Sequence, residues 1–321
     1  MQRRAFIMFL GGAVASWPIV AAAQSDKLAR VGVLMLGTPD PGLFLREFRE
    51  GLRELGYAEG RNIALELRNA NGSAATLKAH ARELAAMKVD AIVGFQTPAA
   101  IAAKEATKDV PIVMCPAADP IGTGLVKSFA RPGGNITGVT TATAEIAGKN
   151  LDLIREVLPS VRRVGVIGNA HDPFHKPFLE QVTVAGYTHG FDIKVVLAQG
   201  PNGFATAFAE IEKGSVEALM VQPSLPRELA AELALRARLP LLVPSAEFAQ
   251  AGALMAYSAD IAAVYRQAAT FVDKIVKGRK PADLPVELAT KFVLIVNLKT
   301  AHALGLTLPP ALLIRADQVI E

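Results

Sequence analysis

Short polar loops follow six of the apolar runs in this 321-residue chain. In the first half they are Gly37-Thr38-Pro39-Asp40, Gln96-Thr97-Pro98 and Ala118-Asp119-Pro120. In the second half they are Asn169-Ala170-His171-Asp172, Gln222-Pro223-Ser224 and Ser245-Ala246-Glu247. Hydroxyls, amides and carboxylates of this kind hold a small polar molecule by a few placed hydrogen bonds. None of the six loops contains Lys or Arg, so none offers a cation to a phosphate or dicarboxylate. A single carboxylate can rest on the free amides of the helix that starts at Thr97, and Asp119 or Glu247 can meet an ammonium group. The predicted ligand is therefore an amino acid or a neutral heterocycle. With flanking positions added, the candidate ligand-binding residues are Gly37, Thr38, Gln96, Thr97, Pro98, Asp119, Thr141, Asn169, His171, Phe174, Gln222, Ser245, Glu247 and Tyr257. Two readings stay open for some of them. Asp119 and Glu247 could equally cap helices, and Tyr257 could be a core aromatic with its hydroxyl at the surface.

Catalytic constellations are absent from the sequence. It has no glycine-rich dinucleotide fingerprint after the first strand, no phosphate loop ending in Gly-Lys-Ser/Thr and no Gly-x-Ser-x-Gly elbow. Cys115 is the only cysteine. It ends an apolar run and reads as a small buried hydrophobe. His171 and His175 stand four apart, but Pro173 interrupts them and no third ligand is near in sequence, so no metal is expected. No cofactor and no enzymatic activity are predicted.

The loops need elements to position them, and the hydrophobic pattern supplies these. Apolar runs at 30–36, 63–67, 91–95 and 112–115 read as strands; helical spacing covers 43–55, 74–87 and 98–107. After a turn-rich break at 130–135 the order resumes with a helix at 144–157 and a strand at 163–168. Helices at 177–186, 204–213 and 227–236 then alternate with strands at 192–197, 218–221 and 241–243. A long helix at 261–276, a connector at 280–285, a strand at 292–296 and a helix at 298–304 make up the tail. Strands that are almost continuously apolar and alternate with helices form parallel sheets covered on both faces. The fold class expected is α/β, with two doubly wound parallel-sheet lobes joined by a multi-crossing hinge. Lobe 1 is placed at 28–139 plus about 258–282, and lobe 2 at 140–257 plus about 283–321. Ligands of such sheets bind beyond the carboxyl ends of the strands, which is where the six loops fall.

The first 23 residues read as an export signal. Arg3 and Arg4 precede the apolar stretch 6–20, and Ala21-Ala22-Ala23 supplies small residues for cleavage before Gln24. Arg3-Arg4-Ala5-Phe6-Ile7 also resembles a twin-arginine signal; an ordinary leader with an accidental Arg pair is the alternative. Removing the leader lowers the formal charge from +4 to +2, too mild for a nucleic-acid partner. No later segment reaches spanning length without charges, so stable membrane insertion is not expected. The mature chain would be a monomer in the periplasm, without a lipid-acceptor cysteine.

Several stretches carry a family resemblance. They include Phe48-Arg49-Glu50-Gly51-Leu52-Arg53-Glu54-Leu55-Gly56-Tyr57, Thr97-Pro98-Ala99-Ala100 and Pro132-Gly133-Gly134-Asn135-Ile136-Thr137-Gly138. Gly278-Arg279-Lys280-Pro281-Ala282-Asp283-Leu284-Pro285 and the close from Asn297 to Leu306 belong with them. As a set, over essentially the whole length, they resemble the substrate-binding proteins of ATP-binding-cassette uptake systems, a family with tryptophan-binding members. The resemblance implies a type I periplasmic binding protein with three inter-lobe crossings. It also implies closure on a small molecule and partnership with a membrane permease and its ATPase. Two loops, 169–175 and 222–226, depart from the family pattern. A ligand-binding sensor for a membrane receptor is the second reading, and an exported α/β enzyme the third. If the twin-arginine reading of the leader is right, replacing Arg3 and Arg4 by Lys stops export, read as loss of the mature form from a periplasmic fraction.

Overall fold

The computed structural model describes residues 28–37, 41–141, 143–199 and 203–321. The export signal and Thr38 lie outside the described residues. The chain begins with β1 (Ala29–Met35), α1 (Gly42–Glu54), β2 (Ile63–Asn69), α2 (Ala74–Ala86), β3 (Ala91–Phe95), α3 (Gln96–Ala106), β4 (Ile112–Ala117) and β5 (Ile136–Thr140). It continues with α4 (Thr143–Val157), β6 (Arg163–Asn169), α5 (His175–Thr188), β7 (Asp192–Ala198), α6 (Gly203–Lys213) and β8 (Ala218–Val221). Next come α7 (Arg227–Arg236), β9 (Leu241–Leu242), α8 (Ala246–Gln250) and β10 (Met255–Ala259). The tail holds α9 (Ile261–Val276), β11 (Glu287–Leu288), β12 (Phe292–Asn297), α10 (Leu298–Leu304), α11 (Pro310–Arg315) and β13 (Gln318–Ile320).

These strands form two sheets, ordered β11-β5-β4-β3-β1-β2 and β13-β12-β10-β9-β8-β6-β7. Alternation along each strand sends side chains to two covered faces. In β1, Val31, Val33 and Met35 join a core with Phe44 and Phe48 of α1 and Val264 and Phe271 of α9. Leu34 instead joins Leu84 of α2 and Ala99 and Ala103 of α3 on the other face. The second sheet repeats this plan. Val164 and Val166 pack with α4 and α5, and Ile167 with Phe204 and Phe208 of α6. Polar caps set several helix starts: Ser73 accepts from Thr76 N at 3.2 Å, Asp260 from Ala263 N at 3.2 Å and Asn297 from Thr300 N at 3.0 Å.

The chain passes between the sheets three times, after β5, after β10 and between β11 and β12. Backbone hydrogen bonds tie these passages together. Ala289 N donates to Thr140 O at 2.8 Å, and Asp260 N donates to Lys291 O at 2.9 Å. The third passage falls later than the expected boundary near 283, because Glu287 and Leu288 still pair with Val139 and Thr140 of the first sheet. Four strands escaped the periodicity: the short β11 and β13, and two longer ones, β5 and β10. β5 reads Ile-Thr-Gly-Val-Thr and β10 reads Met-Ala-Tyr-Ser-Ala, too short and too mixed to register as apolar runs. β10 pairs antiparallel with β12, so the second sheet is not wholly parallel.

The α1–α9 packing sets the floor of the first lobe and depends on close approach. A Cβ on Gly51 would lie 2.7 Å from Arg266 O and 3.0 Å from Ala269 Cβ. Gly51→Val is expected to destabilise the protein by about 1–3 kcal/mol through overpacking. Urea unfolding reads this as a lower midpoint, and an unchanged midpoint would place the two helices further apart.

Candidate ligand cleft

Residues just beyond the carboxyl ends of strands in both sheets line one cavity of about 310 Å³. The first lobe contributes Leu43, Phe44, Phe95 and Tyr265. Phe44 stacks on Phe95 with ring centroids 4.4 Å apart, and the Tyr265 ring stands edge-on to Phe44 at 5.2 Å. All three rings are buried, so they form a fixed apolar wall. The second lobe contributes Arg227 and Glu228 from the start of α7, with Glu247 of α8. Ser245 Oγ donates to Glu247 Oε2 at 2.6 Å, and Arg227 Nε to Glu228 Oε1 at 2.9 Å. One oxygen of Glu247 and the outer nitrogens of Arg227 keep no hydrogen-bond partner among the described residues. A larger cavity, about 430 Å³, lies beside the crossings between Gly51, Asp260, Arg266 and Lys291. It is lined by α1, α9 and the crossing segments and no aromatic residue lines it, whereas the smaller cavity joins the end of β3 to the starts of α7 and α8 and is the candidate site.

Of the residues singled out from sequence, Glu247 lines this cavity, and Gln96 adjoins it by following Phe95. Gln96 is held at φ 67°, a left-handed backbone that non-glycine residues enter only under constraint. Pro98 lies inside the first turn of α3, which begins at Gln96. Thr97 is buried, and its hydroxyl accepts from Ala118 N at 3.2 Å, tying the first turn of α3 to the end of β4. Asp119 is occupied locally, with Oδ1 accepting from Gly122 N at 2.8 Å. Thr141 shares a 2.7 Å hydrogen bond with Thr143 at the first crossing. Gly37 is packed closely against the backbone of Asn71 and Gly72. Phe174 is buried in the second-lobe core beside Phe178. Tyr257 stacks on Phe292 at 5.8 Å, and its backbone is clasped by the Asn150 amide. Both rings pack against the core that covers the second sheet. Cys115 is fully buried, and burial pushes its thiol pKa up, the opposite of a nucleophile.

The loop reading missed Arg227. That residue lies beyond the six short loops, yet α7 opens at it and carries its guanidinium to the cavity. The six loops themselves hold no Lys or Arg, and the cation at this cavity comes from the helix that follows one of them. The signal available was a helix start one short loop after β8, where a first-turn side chain reaches the same rim as the strand end.

Beside the cavity, the second-lobe loops form a closed polar network. Gln222 Oε1 accepts from Asn169 N at 2.9 Å, and Gln222 Nε2 donates to Asp172 Oδ2 at 2.8 Å. Asn169 Nδ2 donates to Ser224 Oγ at 3.2 Å, while Asn169 Oδ1 receives the amide of the exposed His171. Asp172 also accepts from Phe174 N at 3.0 Å. Burial raises the Asp172 pKa despite these bonds from Ser224, Phe174 and Gln222.

Two doubly wound lobes, three crossings and a ligand-sized cavity between opposed strand ends define a type I periplasmic binding protein. Residues 41–320 match the family described as ABC transporter substrate binding protein, and the chain belongs to that family. It is 27% identical over 296 residues to a tyrosine-binding protein of Clostridioides difficile (strain R20291), covering 88% of this chain and 83% of the relative. Among solved structures it resembles a conserved domain protein of Vibrio cholerae, with 28% identity and a TM-score of 0.87 over 91% of this chain and all of that one. It also resembles an ABC domain in complex with L-Trp from Streptococcus pneumonia, with 27% identity and a TM-score of 0.85 over 92% of this chain and all of that one.

The Asp172 network has a pH signature. Because the folded pKa is raised, this group's stabilisation is greatest below the ordinary carboxylate pKa and is lost as pH rises through the raised value. The stability of the wild type relative to Asp172→Asn should increase as pH falls from about 7 to about 4. Thermal melts across that window check it, and a flat difference would show that burial does not hold this carboxyl protonated.

Proposed function

We propose that this protein is the exported receptor of an uptake transporter, closing its two lobes over an aromatic amino acid and handing it to a membrane permease and its ATPase. The observation that carries the reading is the division of the cavity. Three packed rings, Phe44, Phe95 and Tyr265, face a wall that presents a cation, Arg227, and a carboxylate, Glu247. A flat apolar side chain fits the first wall, and a zwitterion satisfies both charges of the second. Relatives named for tyrosine and L-Trp point the same way. Binding without turnover is part of this proposal, and the inert environment of Cys115 supports it. The leader supports a periplasmic location by the twin-arginine route, and the small formal charge and single buried cysteine fit a freely diffusing monomer. Among the described residues, no helix is long and apolar enough to cross a membrane.

Titration calorimetry with L-tryptophan, L-tyrosine, L-phenylalanine, L-leucine and a neutral sugar tests the ligand. Saturable binding confined to the aromatic amino acids is expected, and Arg227→Ala should weaken it about tenfold or more by removing a charged partner. Tight binding of the sugar or of leucine alone would sink this ligand assignment.

A further inference from the structure

Tyr265 lines the cavity, and its hydroxyl has no hydrogen-bond partner among the described residues. Its side chain is 5% exposed, packed against Phe44 and Phe95. A phenol hydroxyl buried this deeply is ordinarily paired, since an unmade bond costs the group its hydration. The pairing is therefore missing from the protein and is available to a ligand. Two charges act on the hydroxyl from the opposite lobe, those of Glu247 and Arg227. A donor, an anion and a cation thus line one cavity, and the donor belongs to a different lobe from the charges.

Resting on the amino-acid reading, we infer that Tyr265 is a specificity-determining residue whose hydroxyl donates to the ligand carboxylate, sharing it with Arg227 while Glu247 takes the ammonium group. The assignment follows from what each group can do. Burial and the Glu247 charge hold the Tyr265 pKa well above its usual value, so the hydroxyl stays protonated and can donate. An ammonium group has no acceptor for that proton, and a carboxylate has several. Arg227 likewise only donates, so it falls on the same carboxylate. The carboxylate then touches both lobes at once, through Tyr265 of α9 and Arg227 of α7. Ligands that keep the ring and the ammonium group but lack the carboxylate lose this bridge.

Tyr265→Phe removes the oxygen and keeps the ring, so the aromatic wall survives. Thermal melting is used to verify folding, and calorimetry compares L-tryptophan with tryptamine, which lacks the carboxylate. The expected result is about a tenfold or greater loss of L-tryptophan affinity in Tyr265→Phe, with tryptamine bound weakly and equally by both proteins. Unchanged L-tryptophan affinity, or an equal loss for both probes, would overturn the role of Tyr265 while leaving the aromatic amino-acid reading in place. A wild type that binds none of L-tryptophan, L-tyrosine or L-phenylalanine overturns that reading, and this inference falls with it.

Discussion

Two backbone hydrogen bonds between crossing segments, Ala289 N to Thr140 O and Asp260 N to Lys291 O, fix how the lobes are joined. Everything at the cleft depends on them. The strands of each sheet could carry the same loops in any relative orientation, but three stitched passages allow one set of strand ends to face the other. They also confine large backbone changes to a few residues between elements, as a hinge requires. The stitching explains why the two shortest or most mixed strands matter. β5 and β11 bring two passages side by side, and β10 with β12 anchors the others in the second sheet.

The cavity inherits its character from what each lobe can place at that rim. The first lobe packs α1 and α9 against β3, and the largest side chains at the top of that packing are aromatic. Their edge-on and stacked geometry makes them part of the core and the wall of the cavity at once, so the wall is rigid without a ligand. The second lobe opens two helices at the rim, and their first turns bear Arg227, Glu228 and Glu247. One wall thus supplies apolar area and the other supplies charge. On the reading proposed for this site, ring selection rests on the first lobe, while the head group draws on both lobes through Tyr265 as well as Arg227 and Glu247.

Much of this was legible in the sequence. Continuous apolar runs alternating with helical spacing marked most of the strands and the two-lobe α/β plan, and the strand-end rule pointed to the rim where Glu247 stands. The misses have separate physical causes. β5 and β10 are strands because they are hydrogen-bonded between established neighbours, and their own side chains include Thr, Gly and Ser. Tertiary context decides such segments. Arg227 escaped because a search limited to loops ignores the first turn of the following helix. Thr97 and Asp119 have the residue types of a binding site, but their bonds to Ala118 N and Gly122 N give both of them local structural work. No reading of spacing separates a hydroxyl that holds a neighbouring strand from one that holds a ligand.

The unpaired groups also make closure depend on what is bound. Moving Arg227 and Glu247 into a dry, shut cleft with nothing between them strips each of hydration, and a desolvated, uncompensated charge is costly. Glu228 and Ser245 offset part of that cost by holding one face of each charged group. A zwitterionic ligand supplies the remaining partners, so on the reading proposed for this site it binds the closed arrangement better than the open one. A ligand shifts an equilibrium only by its differential affinity for the two states. Aromatic area alone provides little of that difference if the rings already form one wall in the open protein. On the same reading the head group provides most of it, because its partners, Tyr265 and Arg227, stand on opposite lobes.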